Sequence, residues 1–498
     1  MNCYLGIDIG TSGTKAICYS KDGEALWTNS IEYELFQEHP GYAEENPLDW
    51  SNACIELIKQ ATTKFSVKGI GLSGQMHGLV LLDKDDNILR KSIIWCDNRT
   101  SKEKEEIERV IGKSKIKKIT GNDAMAPFTL AKLLWVKNNE PEIYAKVAKI
   151  MLPKDYVKYI LTGAFKTEYS DASGMQLLDI KNKCYSKEIL EAFDIDEDKL
   201  PKLTESKDIA GYLKKDLFEN LSNIFVVGGA SDQAAAALGN GIIHTNDISL
   251  VLGSSGVVFN PITKEEIDDI KNTQVFMHAI KDTYHVMGVT NGCGLSYSWY
   301  LDNLCKYEAS LSSNNKPYDI VNNEIENTTI GSNGLIYLPY LNGERTPHND
   351  SFATGAFLGI RQSTKKEDFS RAVIEGICYS LRDCYKQLPK KKYNVFISGG
   401  GAKSKVWREI LATNLKESII ETNITEAGTL GVAILAMLAG KEYKNIDDAI
   451  SNIVNVKRIT KPIKKDYKIY DNYYKLYKEG YKNLKKYYQF QKKMEEKL

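Results

Sequence analysis

One pattern occurs twice, half a chain apart, and it constrains the fold more than any other feature. Leu5-Gly6-Ile7-Asp8-Ile9 reads as a strand, Gly10-Thr11-Ser12-Gly13 as a tight turn, and Lys15-Ala16-Ile17-Cys18-Tyr19 as a returning strand, with Thr14 at the join. Asp247-Ile248-Ser249-Leu250-Val251-Leu252, Gly253-Ser254-Ser255-Gly256 and Val257-Val258-Phe259 repeat the arrangement. A strand–turn–strand unit at the head of each half points to a duplicated domain around a shared cleft. A chain of 498 residues is also too long for a single core. The boundary falls near 241–246, which gives domains 1–243 and 244–498. Glycine lets the backbone turn sharply and aim successive N–H groups outward, while Thr11, Ser12 and Thr14 add hydroxyls. Such a turn can cradle phosphate, with Asp8 beside it to hold a phosphate-bound Mg²⁺. An ordinary hairpin closed by Gly and Thr also accounts for the first turn taken alone.

The remaining pattern alternates strands and helices. A third strand is expected over 24–33, a helix over 46–63 opened by Asn46-Pro47, and a buried strand over 67–72. Residues 79–82 resume the sheet, 93–95 form a further strand, and helices follow over 101–111 and 129–138. A strand over 224–227 opens into Gly228-Gly229-Ala230-Ser231-Asp232 and a small-residue helix over 233–238. In the second half, strands fall at 285–289, 335–338 and 395–397, and helices at 296–304, 365–388, 404–415 and 426–439. Residues 308–315 read as a solvated loop. From residue 464 the tail alternates Lys with Tyr, placing Tyr470, Tyr473, Tyr477, Tyr481, Leu484 and Tyr488 on one helical face. That is a docking helix with a solvated basic face, and a nucleic-acid tail is the rival reading. Lys+Arg number 66 against 65 Asp+Glu, a net charge of +1, so no global field favours a nucleic acid or a membrane. The nine Cys are scattered without Cys-x-x-Cys, as expected of reduced thiols in a cytoplasmic protein. The apolar run 427–440 is too short to span a bilayer.

Three Gly-rich turns follow strands, after Asp8, after Leu252 and after Ile397, where α/β proteins collect anionic ligands. The Gly399-Gly400-Gly401 turn does not extend to G-x-G-x-x-G, and G-x-x-x-x-G-K-[ST] does not occur. A nucleotide clamped between two domains is therefore expected, held by Thr11, Ser12, Thr14, Gly253, Ser254, Ser255, Gly399, Gly400, Gly401, Ala402 and Ser404. Asp232, at a strand end and a helix start, is the candidate general base, and a plain helix cap is the alternative. Gln75-Met76-His77, in a glycine-flanked loop, and Trp95, Asp97 and Arg99 could line a polyol pocket. A structural histidine and a core Trp with a surface ion pair are the competing readings.

With these pieces assembled, the chain resembles the FGGY family of carbohydrate kinases from Tyr4 to about Gly440, and within it the xylulokinases. The opening Gly6-Ile7-Asp8-Ile9-Gly10-Thr11-Ser12-Gly13 resembles the family's first phosphate hairpin. Gly74-Gln75-Met76-His77-Gly78 resembles its sugar loop. Trp95-x-Asp97-x-Arg99, Leu152-Pro153-Lys154-Asp155-Tyr156 and Leu341-Asn342-Gly343-Glu344-Arg345-Thr346-Pro347-His348 are similar too. Gly355-x-Phe357-x-Gly359-Ile360 and Asp368-Phe369-x-x-Ala372-Val373-Ile374-Glu375 resemble the second-half signature. The resemblance implies an α/β fold of two duplicated RNase H-like domains of the actin/hexokinase/Hsp70 ATPase type around a central cleft. It implies ATP and Mg²⁺, Asp232 as base, and Asp8 positioning the metal and phosphates. Met76 and His77 would contact sugar, and residues 399–402 adenosine. The expected acceptor is a ketopentose, D-xylulose at O5; ribulose, another ketose, a polyol or gluconate are alternatives, and an ATP-gated binding module is the reading from another class. Gln233 stands where the family has Asn, lengthening a sugar contact. The expected partners are a small sugar and ATP, with a homodimer as an open alternative to a monomer.

Overall fold

The computed structural model describes residues 2–312 and 317–495. Two mixed sheets organise it. In the first, β1 (Asn2–Ile9), β2 (Gly13–Tyr19) and β3 (Ala25–Glu32) form an antiparallel meander. With β4 (Ser66–Gly74), β5 (Ile209–Tyr212) and β6 (Phe225–Val227) the order is β5-β6-β4-β1-β2-β3; β4 and β6 run parallel to β1, and β5 is antiparallel at the edge.

The second sheet contains β7 (Asp247–Leu252), β8 (Gly256–Ile262), β9 (Gln274–Met277), β10 (Tyr284–Thr290), β11 (Asn394–Ser398), β12 (Ile419–Thr422) and β13 (Val456–Thr460). Its order is β9-β10-β8-β7-β11-β12-β13. From β10 to β13 the strand directions repeat those from β3 to β5: a three-stranded meander, two parallel strands, one antiparallel edge. The duplication read from the two turns therefore extends to whole sheets.

Alternation along β1 explains its burial on both faces. Leu5, Ile7 and Ile9 face Trp50, Cys54 and Leu57 of α1 (Pro47–Lys64). Asn46 caps α1, its side chain accepting from the Leu48 N–H, and Pro47 occupies the first turn as the sequence predicts. The remaining helices that matter here are α2 (Thr129–Asn139), α3 (Pro153–Thr162), α4 (Asp232–Gly239), α5 (Lys366–Tyr385), α6 (Lys405–Leu415), α7 (Ala427–Ala439) and α8 (Tyr467–Glu495).

Although α7 comes from the second half, it lies on the first sheet. A Cβ on Gly6 would fall 1.9 Å from the Thr429 carbonyl oxygen, and one on Gly71 2.0 Å from that of Val432. Between α4 and α7 the same closeness holds: a Cβ on Gly431 would lie 2.0 Å from the Ala235 oxygen. Small residues were needed here because backbone meets backbone.

Four expectations change. Residues 79–82 do not rejoin the main sheet; Val80–Leu82 pairs with Lys149–Met151 in a separate two-stranded ribbon. Trp95 lies outside the strand expected at 93–95, because only Ser92–Ile93 pairs, with Glu44–Glu45. Part of the loop expected at 308–315 is helix, Lys306–Leu311, with Glu308 buried against Lys366 at 2.8 Å; 313–315 lie outside the described residues. On α8 the buried stripe is Tyr470, Tyr474, Tyr477, Tyr481 and Tyr488, so Tyr474 takes the place expected of Tyr473. α8 docks as expected, over Tyr340 and Tyr379, while 496–498 lie outside the described residues. Among the described residues no helix is long and apolar enough to cross a membrane.

Candidate active site

The site is built where the carboxyl ends of β1, β4 and β6 meet the N-termini of α4 and α7. Asp8 points from β1 to the α7 side, and a Cβ on Gly428 would lie 3.9 Å from its Cγ. Burial raises the Asp8 carboxyl above the usual range; Ser73 and the Lys15 charge oppose that shift, and Glu426 adds to it. Lys15 does not neutralise Asp8 directly, because its Nζ sits 2.6 Å from Glu426 Oε1.

Asp232 opens α4. Ser231 occupies the cap position and Asp232 the first helical residue, its Oδ1 accepting from the Gln233 N–H at 2.6 Å. The helix dipole favours a carboxylate there. Burial nevertheless pushes its pKa up to about 7, and the Asp8 charge adds to the shift. Two carboxylates thus share one desolvated site, an arrangement that a cation relieves.

The glycine-flanked loop runs alongside. His77 has a left-handed backbone, φ 68°. Its Nδ1–H donates to the Gly174 carbonyl at 2.9 Å, and its ring stacks on Phe128 at 4.4 Å between centroids. Burial, then the Lys132 charge, lowers its pKa to about 3, so the imidazole is neutral and Nε2 is an acceptor. Gln75 donates to Glu45 Oε2 at 2.8 Å, an atom that Trp50 Nε1 also reaches at 2.8 Å. Met76 packs with Phe128, Phe276, Met287 and Val289, so this loop touches the second half.

Thr11 joins loop and turn. It accepts from Trp95 Nε1 at 2.9 Å and donates to Gln75 Oε1 at 3.5 Å. Ser12 is exposed at the tip of the turn. Thr14 is not brought to the phosphate side. It pairs with Ile9, one register step from Asp8, and therefore lies on the opposite face, fully buried with its hydroxyl toward Tyr33.

Asp97 also departs from expectation. It is fully buried, accepts the Ala43 N–H at 2.6 Å, and holds Arg99 through both oxygens. Arg99 stacks over Tyr42 at 3.6 Å and reaches Glu44 at 2.7 Å. This carboxylate is spent on structure; Trp95, 40% exposed, remains at the site.

In the second half, Gly253, Ser254 and Ser255 form the turn between β7 and β8, with Ser254 exposed. The Gly294 and Leu295 N–H groups bond the carbonyls of Gly253 and Ser254 at 2.8 and 3.0 Å, fixing the turn. Gly399, with φ 91°, crosses it so closely that a Cβ would meet the Leu252 oxygen at 2.6 Å. Around Gly400 a Cβ would meet nothing within 4 Å, so the loop is open there, while Ala402 is buried. Ser404 caps α6 by accepting from the Trp407 N–H, and it donates to Asn322 at 3.0 Å.

Comparison with known proteins settles the family. The FGGY carbohydrate kinase N-terminal domain matches residues 3–239, and the C-terminal domain of the same family matches 248–440. The chain belongs to the FGGY family of carbohydrate kinases. This kinase is 36% identical over 480 residues to the xylulose kinase of Staphylococcus epidermidis, covering 94% of each chain. Ligand-bound xylulose kinase from Lactobacillus acidophilus superposes with a TM-score of 0.90 at 28% identity, covering 98% of this chain and 99% of that one. Gluconate kinase from the same organism gives 0.89 at 28% identity, covering 97% and 98%. The enzyme is thus an ATP-dependent sugar kinase with the two-domain fold of its relatives.

A buried charge network lies against the segment that carries Asp232; of its members only Lys154 and Asp155 stand out in the sequence, without a role. Lys154 Nζ, fully buried, is shared by Asp155 at 2.9 Å, Asp171 at 3.4 Å and Glu168 at 3.5 Å. Lys158 joins Asp155 at 2.9 Å and donates to the Gly228 carbonyl at 3.1 Å, while Ser170 accepts the Ser231 N–H at 3.0 Å. These bonds fix the segment that carries Asp232. Lys132 on α2 was likewise missed; its Nζ holds the His77 carbonyl at 2.7 Å. A Lys inside an apolar run was the available signal for both.

Proposed function

We propose that this kinase transfers the γ-phosphoryl group of ATP to O5 of D-xylulose in the cytoplasm. Residues 1–243 bind the sugar and supply the first phosphate hairpin, and 244–498 bind adenosine. The observation that carries the reading is the neighbourhood of Asp232: a desolvated carboxylate at a helix start, beside Asp8 and the Gln75–His77 loop. The names of the xylulose kinase relatives favour the ketopentose.

Asp232 accepts the proton of the acceptor hydroxyl as its oxygen attacks the γ-phosphorus, and the bond to the ADP oxygen breaks. With a pKa of about 7 in the free protein, Asp232 needs a modest downward shift to be fully ionised near neutrality. A cation held beside Asp8 would supply it.

Mg²⁺ fits this site. Among the described residues no Lys or Arg forms an ion pair with Asp8, which suits an ion that takes one or two protein oxygens and completes its shell with phosphates and water. When bound, it neutralises phosphate charge. Ser12 and residues 253–255 hold the β- and γ-phosphates; Thr11 orients Trp95 and Gln75. Gly399, Gly400, Gly401 and Ala402 hold adenosine, with Ser404 closing the loop. Met76, the His77 Nε2 and Gln233 contact the sugar, and closure of the cleft excludes water.

The test is ADP release over a panel of ketoses, polyols and gluconate, with and without Asp232→Asn. D-Xylulose should give the highest kcat/KM. Preference for another sugar would overturn the assignment of substrate, and no sugar-dependent ADP release would overturn the kinase reading.

A further inference from the structure

The corner that delivers Asp232 is built from residues that cannot hold it by themselves. Gly228 and Gly229 precede it, and Gly229 has a left-handed backbone, φ 84°, packed so closely that a Cβ would lie 2.2 Å from the Leu72 carbonyl oxygen. Glycine loses more freedom on ordering than any other residue, so such a corner needs anchors from outside. Ser231 does not supply one. It stands at the cap position of α4 yet makes no side-chain cap bond, and its buried Oγ finds no partner among the described residues.

The anchors come from Glu168 instead. This fully buried side chain accepts from the Ser170 N–H at 2.8 Å, Ser170 Oγ at 3.0 Å, the Asp171 N–H at 3.0 Å and Ser206 Oγ at 2.9 Å. Each serine passes the constraint on. Ser170 Oγ accepts the Ser231 N–H at 3.0 Å, one residue before the base, and the Ser206 carbonyl accepts the Gly229 N–H at 3.0 Å. Lys158 holds a third point, the Gly228 carbonyl, at 3.1 Å.

Chemistry fixes the direction of this chain. The Ser231 N–H can only donate, so the Ser170 oxygen accepts from it and its single proton goes to Glu168. A carboxylate at the end of such a chain strengthens the bonds along it. Glu168, Ser170 and Ser206 are all buried, so bulk water does not substitute for a lost bond.

We infer that Ser170 is a positioning residue for the phosphoryl transfer: anchored on Glu168, its hydroxyl fixes the backbone entering α4 and so sets the distance from the Asp232 carboxylate to the acceptor hydroxyl. The inference rests on Asp232 as the proton acceptor, and Ser170 acts only through it. Proton transfer needs heavy atoms about 2.6–3.2 Å apart. A misplacement of about 1 Å costs roughly 100-fold in rate. A bond that served stability alone would leave kcat unchanged.

A double-mutant cycle on sugar-dependent ADP release, run with the best sugar of the panel above, tests this on the wild type, Ser170→Ala, Asp232→Asn and the double variant. Ser170→Ala should lower kcat roughly 10- to 100-fold and leave KM for ATP and for sugar within about threefold. In the Asp232→Asn background the same change should cost less than about twofold, because a base that is absent cannot be misplaced. Equal losses in both backgrounds would show that Ser170 acts on something other than the base, and an unchanged kcat would make its bond structural only; either overturns the inference. Rates are referred to the folded fraction from circular dichroism. Ser170→Cys, which keeps the shape and loses the strong acceptor, carries the same comparison should Ser170→Ala not fold. Undiminished turnover of Asp232→Asn refutes the base reading instead, so the two failures are distinct.

Discussion

The hairpins heading the two sheets share their strand directions and differ in what flanks the turn. In the first, Ile9 pairs with Thr14 across a four-residue turn; in the second, Leu252 pairs with Gly256 across three. One register step back, the first has Asp8 opposite Lys15, and the second has Val251 opposite Val257. Duplication kept the backbone device, a turn offering N–H groups and hydroxyls, in both copies. Ionisable groups stand beside it in one copy only. Asp232 lies in that same half, at the start of α4, so the proposed proton acceptor and the proposed metal-positioning carboxylate share one half while the proposed adenosine loop lies in the other.

The strongest way to break that asymmetry is to remove the acids. Asp232→Asn should lower kcat by about 10²- to 10⁴-fold in an ADP-release assay, the range of a lost general base. Ser254→Ala, in the second turn, should raise KM for ATP only a few-fold. If the two variants lost comparable kcat, chemistry would be shared between the halves.

A pH profile sharpens the same point. With Asp232 at about 7 in the free protein, kcat/KM for sugar should climb with pH and level off above an apparent pKa no higher than about 7. A profile flat from about pH 5 to 8 would remove Asp232 as the titrating base.

Stability should move the opposite way. Because burial raises the Asp232 pKa, the folded protein holds this proton more tightly than the unfolded chain. Between about pH 4, the unfolded value, and about pH 7, its contribution falls as pH rises. Asp232→Asn should therefore melt a few degrees above the wild type at about pH 8, with the difference vanishing near pH 4. Scanning calorimetry at both pH values measures it. The smallest effect is expected of Thr14→Val: KM for ATP unchanged and a loss of about 1 kcal/mol in denaturant unfolding, because its hydroxyl lies on the wrong face for phosphate.

Thr14 also shows where sequence reading stops. That β1, the turn and β2 exist follows from alternation and glycine, but which hydroxyl faces the ligand depends on the register across the turn. One step reverses it. Asp97 failed for another reason: its partners Ala43 and Glu44-bound Arg99 are fixed by a loop crossing that leaves no periodic trace. The placement of Asp232 at a helix start was legible because a buried strand, flexible small residues and a helix start coincide in one short stretch. The Lys154 network was not, since its meaning lies in which carboxylates the fold brings to one buried lysine.

The seating of α7 on the glycines of the first sheet has a consequence for biosynthesis. Tyr4 hydrogen bonds Glu442, 438 positions later. At about 5–20 residues per second on the ribosome, that interval lasts roughly 20–90 s. Throughout it, Gly6 and Gly71 present a bare groove that no residue made so far can fill. The nascent amino-terminal half cannot finish folding ahead of the carboxyl-terminal half, and a product released at residue 243 keeps that groove open to chaperones and proteases.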